Sequence, residues 1–271
     1  MSPSETITSR VNPVIKSARM LREGKERKKT GKFLVEGILH VGEAAAADWK
    51  IDSILYSPEL LESEYARNLI SRQSANGVRC APVSKDVLES LAEKENPQGI
   101  VAIVNQKTAL LGSPSSNTIS SAIALVAPQD PGNVGTILRT LDAVGGDALF
   151  LLDGGVDLFH PSVVRASMGT IFWKPVVKAT FVEFSAWARQ HLYQLIGTSA
   201  HAEIDILNIK LVERKSILVL GNEQKGLSKD QLEACDIAVR IPMRGRASSL
   251  NLAVAAGVLL YSLFEGLQSK R

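Results

Sequence analysis

A chain of 271 residues with 45% hydrophobic and 22% charged residues has ample material for a packed core and no excess of apolar residues that would call for lipid. The length permits two modest domains. Only two cysteines occur, Cys80 and Cys235, too few for a disulfide framework or a cysteine-ligated zinc site. Residues 1–10 are polar and lack the apolar core of a secretory signal, and the most apolar run, 250–263, is shorter than the roughly 20 residues of a membrane-spanning helix. A reducing, cytoplasmic compartment, with no membrane partner, is the expectation.

The formal net charge of +3 hides an uneven distribution. Within residues 1–32, nine basic side chains (Arg10, Lys16, Arg19, Arg22, Lys25, Arg27, Lys28, Lys29 and Lys32) stand against three acidic ones, Glu5, Glu23 and Glu26. Clustered Lys and Arg are the footprint of a phosphate-backbone binder, because each neutralised phosphate releases a condensed counterion. A solvated basic helix face would read the same way.

In chain order, residues 12–27 have helical composition, 33–35 form a short strand, 38–49 an Ala-rich helix and 51–56 a strand. Ser57, Pro58 and Glu59 have the character of a helix start, predicting a helix to about residue 75. A strand over 78–83, a helix over 84–92 and a strand over 100–104 complete a small α/β domain, residues 1–105. The segment 106–121 contains Gly112-Ser-Pro-Ser-Ser-Asn117 and has no hydrophobic periodicity, so it reads as a linker. From residue 122 to 271, short apolar runs at 122–127, 148–152, 176–179, 194–197, 216–220 and 237–241 alternate with helical stretches, the pattern of a parallel sheet covered on both faces.

Three polar clusters sit where apolar segments meet loops. The first is Asn133-Val-Gly-Thr-Ile-Leu-Arg139, opening a helix whose Val134, Ile137, Leu138, Leu141 and Val144 share one face. Arg139 lies nearly opposite that stripe, where a solvated arginine would also sit, and Asn133 has the character of an N-cap. The second, Gly221-Asn-Glu-Gln-Lys-Gly226, closes an apolar strand; its glycines would let backbone N–H groups approach a ligand, and Ser228 with Gln231 has capping-box spacing. Glu223 suits either a solvated turn or the mouth of a site. The third, Ile241-Pro-Met-Arg-Gly-Arg-Ala-Ser-Ser-Leu-Asn251, carries Arg244 and Arg246, suited to bidentate phosphate contacts. It leads into a nearly all-apolar helix whose Ala253, Ala255, Ala256 and Gly257 allow close helix packing. Loops at the carboxyl ends of strands in open α/β sheets are where ligands bind.

The motifs of dinucleotide oxidoreductases, P-loop NTPases, α/β-hydrolases and zinc proteases are missing. The histidines, His40, His160, His191 and His201, lack ligand spacing, so no metal is expected.

In order and spacing the three clusters resemble motifs 1, 2 and 3 of the SpoU (TrmH-type) RNA ribose methyltransferases. The stretch from Val164 to Thr170 is similar to the family's segment between motifs 1 and 2. Arg10-Val-Asn-Pro13, Lys16, Phe33-Leu-Val-Glu-Gly37 and Pro97-Gln-Gly99 resemble the RNA-binding extension of many bacterial members. The resemblance implies an α/β fold with a C-terminal trefoil-knotted, parallel-sheet methyltransferase domain and a small N-terminal α/β RNA-binding domain. It implies S-adenosylmethionine held by Thr198, Gly221, Asn222, Ile241, Met243 and Leu250, RNA held by Arg10, Lys16, Arg19, Lys28, Lys29, Arg244 and Arg246, and a homodimer. The implied reaction is methylation of a ribose 2′-hydroxyl, with ribosomal RNA favoured by the N-terminal extension; transfer RNA, or a non-catalytic role in ribosome assembly, are the alternatives. Arg139 would either take the hydroxyl proton while desolvated or, as a cation, clamp a phosphate that helps remove it. Asn133, Glu223, Ser249 and Asn251 would orient the arginine, the ribose or the cofactor.

Overall fold

Strand-forming runs flanked by amphipathic helices recur through the chain, and the computed structural model resolves them into two units. It describes residues 5–92, 97–113, 118–209 and 215–268. The first unit comprises residues 1–107 with 159–173, the second 108–158 with 174–271.

The first unit runs α1 (Pro13–Met20), α2 (Gly24–Thr30), β1 (Lys32–Glu36), α3 (Ile38–Ala46), β2 (Ile51–Tyr56), α4 (Glu64–Ala75), β3 (Arg79–Pro82), α5 (Lys85–Glu89) and β4 (Ile100–Asn105). Its four strands lie in the order β1-β4-β2-β3; β4 is antiparallel to both β1 and β2, and β3 is parallel to β2. The single helix expected over 12–27 is two helices. Arg27 is the reason: its guanidinium is buried and donates to the carbonyls of Leu21 (2.9 Å) and Arg22 (2.5 Å), tying α2 back onto the turn that ends α1. The helix expected from residue 57 begins instead at Glu64, with Ser63 as its cap. Ser57 is fully buried, and its N–H donates to Gly99 O at 2.9 Å, so a tertiary contact overrides the local helix-start pattern.

Residues 159–173, which the sequence reading places in the catalytic half, pack in the first unit through aromatic contacts. Phe159 lies 4.7 Å from Phe33, Phe172 lies 5.2 Å from Trp49, and the Trp49 indole N–H donates to Phe172 O at 2.9 Å. Aromatic pairs at these separations add to the burial of their area.

The second unit contains β5 (Ser121–Val126), α6 (Pro131–Ala143), β6 (Ala148–Leu152), β7 (Val176–Ala179), α7 (Phe181–Gln190), β8 (Gln194–Thr198), β9 (Ile204–Asp205), β10 (Ser216–Leu220), α8 (Lys229–Glu233), β11 (Ile237–Arg240) and α9 (Leu252–Gln268). Its seven strands lie in the order β7-β6-β5-β10-β8-β11-β9, every pair parallel. Apart from half-buried Ser121, strands β5, β6 and β10 are buried throughout, as their apolar runs require. Six of the strands were expected; β9, two residues long, was not. Part of the core lies under α7, where Phe184 and Trp187 pack on Phe150 at 5.0 and 5.4 Å. Thr180 and Glu183 close a capping box at the start of that helix, and the Thr180 backbone and hydroxyl donors hold the Glu183 carboxyl below its usual pKa. Ser228 and Gln231 form the expected capping box on α8. Within the expected linker, residues 114–117 lie outside the described residues.

From β5 the chain proceeds to β6 on one side, while β10 pairs on the other. This reversal opens a crevice beyond the carboxyl ends of β5 and β10, the general ligand-binding position in open α/β sheets.

Candidate active site

The loop after β5 enters the crevice in a conformation few residues adopt. Ala127 has φ +45°, and such backbone persists only where the surroundings over-determine it. Its N–H donates to Leu152 O at 2.8 Å, and its carbonyl accepts from the side-chain amide of Asn222 at 2.8 Å. Gly155 lies against the same turn: a Cβ there would stand 2.3 Å from Pro128 O.

Asp130, not Asn133, caps α6. Its carboxylate accepts from the N–H groups of Gly132 (2.6 Å) and Asn133 (3.1 Å), with Pro131 at the first helical position. Asn133 therefore sits inside the first turn, with its side chain available for contacts across the crevice.

The loop after β10 folds back tightly. Asn222 and Gly226 exchange backbone hydrogen bonds at 3.2 and 2.8 Å. A Cβ on Gly221 would fall 2.1 Å from the carbonyl carbon of Gly226, so only glycine fits. The Asn222 oxygen accepts from the N–H groups of Gln224 (3.0 Å) and Lys225 (3.2 Å). With its amide on Ala127, the Asn222 side chain is committed to loop architecture, and this residue faces the crevice without a side-chain group to spare.

Glu223 joins the first two loops. Its carboxylate accepts from the N–H of Gln129 (3.0 and 3.2 Å), the N–H of Asp130 (3.2 Å) and the Asn133 amide (3.4 Å). A carboxylate at the N-terminus of α6 is further favoured by the helix dipole. The third loop joins through Asn251, whose amide donates to Asn133 Oδ1 at 3.0 Å while its own oxygen caps α9 at Ala253 N (2.9 Å) and Val254 N (3.3 Å). Glu223, Asn133 and Asn251 thus form a continuous polar relay tying the three loops together.

These loops enclose a cavity of about 460 Å³, within the range of small-molecule sites. Asn133, Thr198, Gly221, Asn222, Glu223, Ile241, Met243, Ser249, Leu250 and Asn251, ten of the expected site residues, line it. Thr198 donates through its hydroxyl to Val219 O at 3.1 Å. Apolar walls from Leu220, Val239 and Leu259 and polar edges from Ser199 and Ser248 were not anticipated. The Gly154-Gly155 pair, not singled out from the sequence, marks the strained turn, since Gly155 packs against Pro128 and Ala127.

Arg139 is not among the lining residues; it is exposed on α6. Arg244 and Arg246 are exposed in the loop that carries Met243 and Ser248. In the first unit the basic cluster divides. Arg10 is held by Asp86, which raises its guanidinium pKa, and Arg19 donates to Ser90 Oγ at 2.9 Å. Lys16, Lys28 and Lys29 are exposed. Among the described residues no group of three or more His, Cys, Asp or Glu could hold a metal ion.

Residues 120–261 match the SpoU rRNA Methylase family, and residues 12–102 match the MRM3-like substrate binding domain. The chain belongs to the SpoU rRNA methylase family. It is 33% identical to the 23S rRNA (guanosine(2553)-2′-O)-methyltransferase of Bacillus subtilis, covering 95% of this chain and 98% of that protein. It is 32% identical to the 23S rRNA (uridine(2479)-2′-O)-methyltransferase of Streptomyces viridochromogenes, covering 94% and 90%. Among solved structures, the AdoMet-bound rRNA methyltransferase of Sinorhizobium meliloti superposes with a TM-score of 0.88 at 32% identity, covering 97% of this chain and 98% of that one. As a SpoU methylase the chain has its two matched regions in the same order as its two α/β units.

Proposed function

We propose that this chain transfers a methyl group from S-adenosylmethionine to a ribose 2′-hydroxyl of ribosomal RNA. The observation that carries the reading is the convergence of the three SpoU motifs on one cavity beyond the carboxyl ends of β8, β10 and β11, joined by the Glu223–Asn133–Asn251 relay. Ribosomal RNA is favoured over transfer RNA because the relatives matching across both units methylate 23S rRNA.

The cavity fits such a cofactor in size and chemistry. Leu220, Val239, Ile241 and Leu250 offer apolar surface, and Gly221 lines the cavity where its loop folds back on Gly226. S-adenosylmethionine supplies an activated methyl group for in-line displacement. The chain's own part is positional: the relay fixes the loops, and Ser249 and Asn251 at the rim are placed to orient the ribose. Holding two reactants at about 3–3.5 Å in line can account for much of such a catalyst's rate.

Arg139 completes this reading through a second copy of the chain. Val254, Val258 and Tyr261 on α9 form an exposed apolar stripe at helical spacing. α9 lies beside α6, with Gly257 facing Thr140, next in sequence to Arg139. A homodimer that covers this stripe would bring Arg139 of one copy toward the cavity of the other. There the side chain would, as a desolvated neutral guanidine, take the hydroxyl proton, or, as a cation, hold a phosphate that helps remove it; free arginine is a poor base at neutral pH. The C-terminal segment is read as a trefoil knot, supported by α9 returning from the far side of β8 and β10 to pack on the helix after β5. No helix of the described residues is long and apolar enough to cross a membrane, which suits work in the cytoplasm.

Incubating the purified protein with labelled S-adenosylmethionine and ribosomal or transfer RNA, then mapping alkali-resistant linkages, tests the reading. Label in one 2′-O-methyl position of 23S rRNA is expected. Label confined to transfer RNA, to a base, or absent altogether would overturn it.

A further inference from the structure

A second cavity lies in the first unit, within residues 1–107. It measures about 390 Å³ and sits between α1 and one face of the four-stranded sheet. Its floor is apolar, from Leu55, Ala81 and Ile103, and Val14 and Leu21 of α1 wall one side. Its rim is polar: Lys32 and Asp52 form an ion pair at 2.6 Å, and Arg79 is exposed beside them. An apolar slot with a few convergent polar groups is the form of a small-ligand site.

The sheet is irregular at this place. Ile51 pairs with Val104 and Ser53 with Ile103, so Asp52 is an extra residue in β2. In a regular strand Asp52 and Ser53 would point to opposite faces; with the bulge both line the cavity. Bulges that re-aim side chains concentrate next to functional sites.

We propose that this cavity seats one unstacked nucleobase of the RNA, with guanine preferred. The inference rests on the RNA-methylating reading above and adds to it a base-reading site in the first unit. Specific RNA recognition takes unpaired bases whose edges can be read in a pocket. The Watson–Crick edge of guanine presents O6 as an acceptor beside the N1–H and N2–H donors. The Lys32 ammonium can donate to O6, and the Asp52 carboxylate can accept from both N–H groups. Leu55, Ala81 and Ile103 take the ring face. Exposed Lys16 on α1 and Lys28 and Lys29 on α2 lie on elements bordering the slot, where they neutralise the flanking phosphates.

The test is fluorescence anisotropy on the full-length protein with 5′-labelled pentanucleotides UUGUU, UUAUU, UUCUU and UUUUU. The guanine-centred oligomer is expected to bind roughly tenfold more tightly than the other three. Asp52→Ala should erase that preference with S-adenosylmethionine affinity unchanged, which also certifies the fold, and Lys28→Ala should weaken all four oligomers equally while preserving it. Equal affinities for the four oligomers, or a preference that survives Asp52→Ala, would overturn the proposal. Turnover separates it from the methylation reading. If the wild type methylates ribosomal RNA and Asp52→Ala changes neither its KM nor its kcat, the base pocket alone is refuted. A raised KM at constant kcat supports it.

Discussion

The side-chain amide of Asn251 donates to Oδ1 of Asn133 across 3.0 Å, joining the first turn of α6 to the cap of α9. Six or seven residues further along each helix, Thr140 and Gly257 are again adjacent, so the two helices run side by side in the same direction. The polar pair at their starts and the small residue farther along fix their relative register. That register sets where the third loop meets the first, and hence the shape of the cavity.

The relay should behave as a unit. Asn133→Ala removes the acceptor of Asn251 and one donor to Glu223, and Asn251→Ala removes the donor to Asn133, so each single alanine variant is expected to lose about 1 kcal/mol of stability. A loss of roughly 10²-fold in kcat is expected for either, because misplacement of about 1 Å is felt that strongly in a positional catalyst. In the double variant the losses should fall well short of additive. Strictly additive effects on kcat, measured by single-turnover methyl transfer, would show that the two residues act separately.

Gly221→Ala tests the fold-back of the second loop. The new Cβ would stand 2.1 Å from a backbone carbon rather than from a flexible side chain, so the loop must move. A stability loss of about 1–3 kcal/mol is expected from such overpacking, together with loss of S-adenosylmethionine binding in calorimetry. Wild-type cofactor affinity in this variant would mean that the close approach is incidental to the cavity.

Much of this arrangement is legible in the residues themselves. The apolar runs expected at 122–127 and 216–220 correspond to β5 and β10 of the observed parallel sheet, and all three polar clusters contribute lining residues to one cavity. The failures share a cause, which is competition from contacts distant in sequence. Ser57 looks like a helix cap and is a buried turn residue because Gly99 accepts its N–H. Arg27 was counted as part of a basic surface and is a buried tie between helices. Residues 159–173 follow the aromatic partners Phe33 and Trp49 rather than their neighbours in the chain.

Cys235 gives a pH-dependent prediction. Burial, and then the charge of Asp236, push its thiol up to about 11. The protonated form is therefore favoured in the folded state, and the stability tied to it is intact below the unfolded value of about 8.5 and lost as pH rises through about 11. Thermal melts of the wild type and Cys235→Ala should differ by a constant amount at pH 7–8, and the wild type's advantage should shrink steadily at higher pH. A difference that stays flat to pH 10.5 would contradict the shift. At pH 7.5, alkylation of the folded protein by iodoacetamide should be slow at both Cys235 and Cys80, whose thiol burial also raises.

The composite site can be tested by complementation. Arg139 is exposed and outside the lining of its own cavity, so a two-fold dimer would carry two sites, each using the arginine of one copy and the cavity of the other. Arg139→Ala alone and Gly221→Ala alone should each be nearly inactive, for different reasons. Unfolded together in equal amounts and refolded, half of the dimers are mixed, and each mixed dimer holds one intact site, giving about a quarter of wild-type activity. If Arg139 served its own cavity, a mixed dimer would have no intact site: the copy carrying Arg139→Ala would lack the guanidinium, and the other would lack the cavity. Activity that stays at the level of the separate variants, in a mixture shown by native mass spectrometry to contain mixed dimers, would therefore assign the arginine to its own chain's cavity.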